Sequence, residues 1–405
     1  MMLTAMAMAT ATALSTWRFD LSAPTSEPGR VAVAPHQVYT QGQYGYEPGG
    51  SDDGFLFSVA VPEGVYRVTI RFGGREAGQT TVKAEARRLM ARDVVTQANA
   101  AVTRSFLVHV RGPALPQPPA NAPGGSAVRL SDQEANSLTW DDKLTLEFLG
   151  RPRVASIDIE PATAPVIYLA GDSTVTDQAA EPAASWGQML PALLTPDIVV
   201  ANYAHSGETL KSFISELRLA KILSTLKADD WLFIQFGHND QKTQWPQTYA
   251  DPQTTYPAYL RVFIAEARQR GAHPVLVTSP ERRTFHDGRI ADSLGDYPDA
   301  VRRVAQEEAV PLIDLNHSSR EIYEVLGPDG SAALFNDGGA DRTHHNNAGA
   351  WLLARAVAAQ IALEIPTLRD HVASEARQFV PDAAMMDETG IVASDAYSRQ
   401  RPRGD

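Results

Sequence analysis

The sequence predicts an all-β sandwich followed by an α/β domain, in which helices flank a doubly wound parallel sheet. Up to residue 160, short segments rich in β-branched and aromatic residues alternate apolar and polar positions, as strands with one buried face do. After residue 160, nearly unbroken apolar runs alternate with helical segments, which is typical of a parallel sheet covered on both faces. The length of 405 residues is also too great for one compact core.

The first region, residues 16–160, is interpreted as the sandwich. In its clearest strand, Tyr66, Val68, Ile70 and Phe72 fall on one side and are expected to face a core. Turns that contain glycine or proline separate the predicted strands. The four strand segments are residues 55–61, 65–72, 105–110 and 143–148.

The second region, residues 164–365, is interpreted as the α/β domain, and the polar residues 366–405 are expected to form a loosely packed or disordered tail. Sheets of this class bind ligands at the carboxyl ends of their strands. The predicted strands are residues 166–170, 198–201, 231–236, 274–277 and 311–315, and the predicted helices are residues 216–227, 259–270, 299–308 and 347–364.

Composition excludes several classes of function. The chain contains no cysteine, so disulfides, thiolate nucleophiles and cysteine-bound metal centres are excluded. With 36 basic and 48 acidic side chains the net charge is −12, a sign that disfavours nucleic acid as a partner. No apolar run reaches the roughly 18 residues of a bilayer-spanning helix, and no membrane partner is expected. The sequence predicts no oligomeric state.

The start of the chain bears on the compartment. It is apolar and rich in small residues, with Ala9, Ala11 and Ala13 spaced as at a signal-cleavage site. No lysine or arginine precedes Arg18, so the positively charged start of a secretory signal is missing. We expect a secreted or periplasmic protein, and a cytoplasmic one remains the alternative.

Polar motifs follow the predicted strands where a doubly wound sheet binds its ligands. Taken singly, each motif is also typical of an ordinary turn or helix cap. Their occurrence in order, at consecutive strand ends and before the last helix, favours one shared site. The motifs are Gly171-Asp-Ser-Thr-Val175, Asn202-Tyr-Ala-His-Ser-Gly207, Gly237-His-Asn-Asp240 and Asp341-Arg-Thr-His344.

These residue types suit acyl transfer. A serine hydroxyl becomes a nucleophile when a neighbouring base takes its proton, and Ser173 has a candidate base in His344. Asp341, three residues before His344, is placed to orient the imidazole and to stabilise its charged form. The backbone N–H groups of Ser173 and Gly207 and the side-chain amide of Asn239 are candidates for an oxyanion hole. This chemistry needs no metal and no other cofactor.

The motifs resemble the four blocks of the SGNH (GDSL-type) hydrolase superfamily, over residues 164–365. The resemblance implies that Ser173 is the nucleophile, that Asp341 and His344 are its partners, and that Ser173, Gly207 and Asn239 form the oxyanion hole. It also implies a carbohydrate-binding-like sandwich before the catalytic domain, as in bacterial two-domain members. The strings that look most like the rhamnogalacturonan acetylesterase branch are residues 169–175, 185–188, 236–240, 282–285 and 341–350.

The chain departs from this family in one place. A second histidine, His345, follows His344 where many relatives carry an apolar residue. His344 keeps the three-residue spacing to Asp341 and is therefore the expected base. No Gly-x-Ser-x-Gly motif is present, which excludes the nucleophile elbow of α/β-hydrolases.

Substrate contacts are predicted from the chemistry of residues near the motifs. A net acidic protein gains no long-range attraction to a polyanionic pectin, so any uronate must be bound locally. Arginine pairs with carboxylates through two hydrogen bonds, although structural ion pairs are an equal use of it. Aromatic rings offer apolar faces to sugars or pack in a core. The candidates are Asp172, His238, Trp186, Arg282, Arg283 and Arg342, with Trp245, Tyr39, Tyr44 and Tyr46 as further aromatic platforms.

Three functions remain open at this point. The favoured one is a carbohydrate O-acetylesterase that acts on rhamnogalacturonan or another pectin, on xyloglucan or on xylan, through a Ser-His-Asp acyl-enzyme mechanism. The second is a lipid or thioester hydrolase with the same triad, which would need an exposed apolar groove. The third is a non-catalytic carbohydrate-binding protein, and the intact motifs speak against it.

Overall fold

A computed structural model describes residues 16–22, 28–48, 54–116 and 124–394. The signal-like start of the chain lies outside the described residues. The strands are β1 (Trp17–Asp20), β2 (Val31–Ala32), β3 (Tyr44–Tyr46), β4 (Gly54–Ala60), β5 (Gly64–Gly73), β6 (Gly78–Ala84), β7 (Arg88–Thr96), β8 (Ala101–Val110), β9 (Lys143–Arg151), β10 (Val154–Pro161), β11 (Val166–Gly171), β12 (Val199–Asn202), β13 (Trp231–Gln235), β14 (His273–Val277), β15 (Phe285–His286), β16 (Arg289–Ile290) and β17 (Leu312–Ile313). The α-helices are α1 (Asp132–Ala135), α2 (Trp186–Met189), α3 (Leu210–Ser215), α4 (Arg218–Leu223), α5 (Thr255–Gln269), α6 (Tyr297–Glu308), α7 (Leu315–Ala332) and α8 (Asn347–Glu364).

The N-terminal region forms two largely antiparallel sheets, β2-β1-β10-β5-β8 and β3-β4-β9-β6-β7. The sheets share one apolar core, in which Ile157 of the first lies with Phe57 and Leu146 of the second. The side chains predicted to face a core from β5 do so, since Tyr66, Val68, Ile70 and Phe72 are all buried. Period-two alternation was therefore a sound guide here.

The second region contains the predicted parallel sheet, in the order β12-β11-β13-β14-β17. Ile167 and Leu169 of β11 pack on one face with Trp351 of α8, whereas Tyr168 packs on the other with Phe263 of α5. Because both faces are covered, each strand is apolar throughout, as the sequence showed. The chain continues from β11 to β12 on one side and then to β13 on the other, which makes a switch point beside β11.

The last strand differs from the prediction. Residues 311–315 were expected to be a strand, but β17 has two residues because Asp314 caps α7 by accepting a hydrogen bond from the backbone N–H of His317. The helix α7, which the sequence analysis did not predict, contains Gly327 and Pro328, and Gly327 has a non-helical backbone. A glycine and a proline inside the segment interrupt the apolar periodicity by which a helix is recognised in a sequence.

The loosely packed tail was a wrong expectation for residues 366–394. Val372, Ala376 and Met385 are buried in the core cluster that contains Trp351 of α8. The Oγ of Ser394 also donates to Glu147 at 2.7 Å, in the N-terminal region. The segment was misjudged because its few apolar residues are spread between short 3₁₀ turns and show no regular period.

The two regions contact one another through buried charged side chains. Arg88, at the start of β7, donates to Asp177 at 2.7 Å. Its neighbour Arg87 donates to the backbone carbonyls of Gln178 at 3.0 Å and Ala183 at 2.8 Å. The turn between β6 and β7 is therefore held against the segment that follows β11. Among the described residues, no helix has the length and apolarity that crossing a bilayer requires.

Candidate active site

The carboxyl ends of three neighbouring strands bring the sequence motifs together. Ser173 follows β11, Gly207 follows β12 and Asn239 follows β13, and these three strands are adjacent in the sheet. Asp341 and His344 lie in the loop before α8. The site thus occupies the switch point of the doubly wound sheet, as sheets of this class lead one to expect.

Ser173, His344 and Asp341 form one chain of hydrogen bonds. The Oγ of Ser173 lies 2.9 Å from Nε2 of His344, and Nδ1 of His344 lies 2.9 Å from Oδ2 of Asp341. A carboxylate only accepts, so Nδ1 carries the proton and Nε2 is left to accept from the serine hydroxyl. All three side chains are buried. The arrangement is able to take a proton from Ser173 and hold it on the imidazole.

The carboxylate of Asp341 is fixed by its own loop. Its Oδ1 accepts from the backbone N–H groups of Thr343 and His344, each at 2.9 Å. Burial alone would raise the pKa of Asp341, but the hydrogen bonds from His344 and Thr343 and the charge of the imidazole lower the pKa to about 2. The carboxylate is therefore ionised at neutral pH and orients the imidazole.

The turn that carries Ser173 is held by polar side chains, and two of them, Gln178 and Gln235, were not singled out from the sequence. Asp172 Oδ1 accepts from the backbone N–H and the hydroxyl of Thr174, at 3.0 and 2.8 Å. Gln178 donates to the carbonyl of Ser173 at 2.7 Å, and Gln235 donates to the Thr174 hydroxyl at 2.6 Å. A polar residue inside the buried strand β13 was the available signal for Gln235.

Candidate oxyanion donors surround the same point. Among the described residues, no acceptor lies on the backbone N–H of Ser173 or of Gly207. Gly207 has a φ of 86°, in the left-handed region that favours glycine. The side-chain amide of Asn239 donates to the carbonyl of Glu208 at 3.0 Å, which ties the Asn239 loop to the Gly207 loop. One hydrogen of this amide remains for a ligand.

Comparison with known proteins assigns the chain to a family. Residues 169–352 match the GDSL-like Lipase/Acylhydrolase family. The rhamnogalacturonan acetylesterase RhgT of Bacillus subtilis (strain 168) is 41% identical over 223 residues, which are 51% of this chain and 94% of the relative. The chain belongs to the GDSL-like hydrolases.

One further protein is similar over more of the chain. The uncharacterized esterase YxiM of Bacillus subtilis (strain 168) is 26% identical over 370 residues, 84% of this chain and 88% of the relative. The X-ray crystal structure of the same protein is 24% identical with a TM-score of 0.48, over 86% of this chain and 98% of that one. Family membership makes the protein a hydrolase of carboxylic esters.

His345, the histidine that follows His344 in this GDSL-like hydrolase, points away from Ser173. Nε2 of His345 is 2.6 Å from the hydroxyl of Tyr323, and the imidazole packs against the ring of Phe335, with 4.4 Å between centroids. Burial lowers the pKa of His345 to about 3. His345 therefore faces the core, and His344 faces Ser173.

Three predicted substrate contacts have buried and paired side chains, which disfavours contact with a sugar. Asp172 and His238 lie 3.3 Å apart, and the other ring nitrogen of His238 donates to the carbonyl of Pro280 at 3.0 Å. Trp186 is 1% exposed and donates to Gln235 at 2.8 Å. The three side chains pack beneath the loops of the site and expose almost no surface that a sugar could contact.

Two of the three predicted arginine contacts also have structural partners. Arg282 donates to the carbonyl of His238 and to the hydroxyl of Thr343, each at 3.3 Å, and so joins the Asn239 loop to the His344 loop. Arg283 donates to the carbonyl of Pro328 at 2.8 Å and to that of Gly339. These guanidinium groups bind loop carbonyls and a hydroxyl, which gives both arginines a structural use, and the uronate role predicted for them stays a prediction. Arg342 is exposed, and its contact with substrate stays a prediction.

The aromatic candidates divide in the same way. Tyr44 packs against Phe19 at 4.7 Å and Tyr46 against Phe57 at 5.5 Å between ring centroids, both within the core of the N-terminal region. Trp245, in the loop after β13, is half-buried and lines a cavity beside Gly207. Trp245 is therefore the aromatic candidate that lies next to the oxyanion donors.

Proposed function

We propose that this GDSL-like hydrolase removes O-acetyl groups from a plant cell-wall polysaccharide, with rhamnogalacturonan as the first candidate. The observation that carries the proposal is the chain of two 2.9 Å contacts from Ser173 through His344 to Asp341, at the switch point of the sheet. A relative that is 41% identical and is named as a rhamnogalacturonan acetylesterase supports the choice of substrate. Such polymers lie outside the cell, so the proposal includes secretion or export to the periplasm.

In the first half of the reaction, Ser173 Oγ attacks the acetyl carbonyl while His344 Nε2 takes the hydroxyl proton. The imidazolium that forms is stabilised by the ionised Asp341. The negative charge on the carbonyl oxygen is met by the backbone N–H groups of Ser173 and Gly207 and by the amide of Asn239. His344 then returns the proton to the sugar oxygen, which leaves, and the acetyl group stays on Ser173.

In the second half, water attacks the acetyl-serine. His344 takes a proton from the water and returns it to Ser173 Oγ as acetate leaves. The same oxyanion donors serve both halves because both pass through a tetrahedral carbon at the same place. The chemistry uses side chains and backbone groups of this chain and water.

A small acyl group fits the surroundings of Ser173. The residue is 4% exposed, and its loop is held by Asp172 and Gln178. A short acetyl reaches a recessed hydroxyl of this kind, whereas a long acyl chain needs an extended apolar groove. This feature favours acetyl esters of sugars over lipids.

The test is acetate release from a panel of acetylated rhamnogalacturonan, homogalacturonan, xyloglucan and xylan, together with p-nitrophenyl esters of increasing chain length. We expect release from at least one of the polysaccharides, with rhamnogalacturonan first, and a sharp preference for the acetyl ester. A preference for long acyl chains would instead identify a lipid hydrolase. Glycan binding without any ester hydrolysis would identify a non-catalytic protein.

A further inference from the structure

A cavity of about 500 Å³ lies beside the proposed oxyanion hole. Gly207 lines it, with Ser206 and Glu208 on either side in the chain. Sites for small molecules are typically of this size. Because Gly207 is also a candidate oxyanion donor, a sugar ring in this cavity would adjoin the acetyl group that Ser173 attacks.

The walls of the cavity come from two distant parts of the chain. One wall is the loop after β13, which contributes Trp245 and Thr248. The other is residues 129–131 of the N-terminal region. We call residues 129–140 the flanking segment, and it lies outside the residues 169–352 that match the family. Residues 129–131 therefore line the cavity from outside the part of the chain that matches the family.

The flanking segment is held firmly against the catalytic region. Glu134 accepts from both terminal nitrogens of Arg218, at 2.8 and 2.6 Å, and lies 3.4 Å from Nε2 of His205. Burial alone would raise the pKa of Glu134, but Arg218 and His205 lower the pKa to about 2. The ionised Glu134 thus fixes the segment to the loop that ends in Gly207.

In the part of the chain that the structure describes, the charged side chains around the cavity are paired with one another, except for one exposed arginine that could bind a ligand. Glu134, Glu208 and Glu216 each contact the buried Arg218, at 2.6, 3.1 and 3.4 Å. Arg129 is exposed, and among the described residues its guanidinium has no partner. Its backbone is nevertheless fixed, since its N–H donates to the carbonyl of Glu216 at 3.0 Å. A planar guanidinium placed in this way is suited to a carboxylate.

The opposite wall offers an apolar surface. The Trp245 indole is half-buried, and Lys242 places its ammonium over the ring, 4.4 Å from the centroid. This cation–π contact orders the ring, and the backbone N–H of Trp245 donates to the Lys242 carbonyl at 3.0 Å, which fixes the turn that carries it. Aromatic rings of this kind receive the apolar face of a sugar.

We propose that the flanking segment and Trp245 form a subsite for a uronate ring of the substrate, with Arg129 binding the uronate carboxylate. This inference rests on the proposed function and adds the residue that recognises the uronate. It also gives the N-terminal region a direct part in substrate binding. The uronate role considered for Arg282 and Arg283 is thereby assigned to Arg129.

The test compares Arg129→Gln with Arg104→Gln, a matched control because Arg104 is also exposed but lies on β8 of the N-terminal sheets. Three acetyl substrates are used: acetylated rhamnogalacturonan oligosaccharides, neutral acetylated xylo-oligosaccharides and p-nitrophenyl acetate. For Arg129→Gln we expect kcat/KM on the uronate substrate to fall about tenfold, through KM, with no change on the other two. The wild-type value on the uronate substrate should also fall with added NaCl, and that of Arg129→Gln should not.

Each outcome decides between the two claims. If Arg129→Gln behaves like Arg104→Gln on the uronate substrate, the subsite is overturned and the acetylesterase proposal stands. An equal loss on all three substrates also overturns it, because the effect would then lie in the catalytic groups. If the wild type cleaves p-nitrophenyl acetate but neither oligosaccharide, the proposed function fails and the subsite fails with it.

Discussion

The Nε2 atom of His344 lies 2.9 Å from the Oγ of Ser173, although 171 residues separate them in the chain. The parallel sheet produces this contact, because Ser173 leaves the carboxyl end of β11 and the loop before α8 returns to the same edge. The site is therefore a property of the fold and not of any local motif.

Replacing Asp341 by asparagine should lower kcat by about 10² to 10⁴-fold, because the neutral amide neither fixes the imidazole tautomer nor stabilises the imidazolium. The measurement is the initial rate on p-nitrophenyl acetate. Asp337→Asn is the matched control, since Asp337 lies nearby and is exposed. Equal rates for the two variants would remove Asp341 from the catalytic chain.

Replacing Asn239 by alanine should lower kcat about 10²-fold or more, with little change in KM, because one donor to the oxyanion is lost. The Tm should fall modestly, since the bond to the Glu208 carbonyl is lost too. Asn239→Asp should show the same loss of kcat, because aspartate keeps the shape of the side chain but offers no donor. An active Asn239→Asp enzyme would contradict a role in the oxyanion hole.

Trp186→Phe should lower the free energy of unfolding by about 1–3 kcal/mol and leave KM for oligosaccharides unchanged. The variant loses the buried hydrogen bond to Gln235 and leaves that acceptor without a donor. Urea unfolding and saturation kinetics provide the two measurements. A higher KM with unchanged stability would restore the sugar-contact role that the structure speaks against.

His345 should make stability depend on pH. Its pKa is lowered to about 3 by burial, so below the usual histidine pKa of about 6.5 the unfolded chain binds a proton that the folded chain does not. Stability is therefore fully present above pH ~6.5 and is lost toward pH ~3, by up to about 1.4 kcal/mol per pH unit from this residue. Asp341 adds nothing above about pH 4, because its pKa is lowered and its contribution to stability is lost only as the pH falls from about 4 toward 2.

A His345→Gln variant tests this dependence, because glutamine does not titrate and can still bond to Tyr323. Between pH 6 and pH 4.5, the slope of unfolding free energy against pH should be smaller by about 1 kcal/mol per unit in the variant. His109, whose pKa burial also lowers, remains in both proteins and cancels. Identical slopes would show that His345 is protonated in the folded protein.

The parts of the molecule with a strict period were predictable from the sequence. The apolar strand β11 and the helix α8, which begins at Asn347 and ends at Glu364 as predicted, follow from hydrophobic pattern alone. Because three of the polar motifs follow strands, parallel topology was enough to expect Ser173, Gly207 and Asn239 at one edge of the sheet.

The orientation of individual side chains was not predictable in this way. Trp186 and Arg282 lie in loops, where no period tells a buried side chain from an exposed one, and both have partners far away in the chain. The flanking segment was missed for a related reason: Glu134 reaches Arg218 across 84 residues, and only the tertiary fold brings them together. Sequence pattern indicated the candidate reacting groups, and tertiary contacts decide what surrounds them.

The most direct test of the account is the rate of acetate release from acetylated rhamnogalacturonan by the wild type and by Ser173→Ala, with Tm measured for both. Loss of the hydroxyl that lies 2.9 Å from His344 Nε2 should reduce the rate by about 10³-fold or more, at an unchanged Tm. A Ser173→Ala protein that releases acetate at the wild-type rate would contradict the acyl-enzyme mechanism.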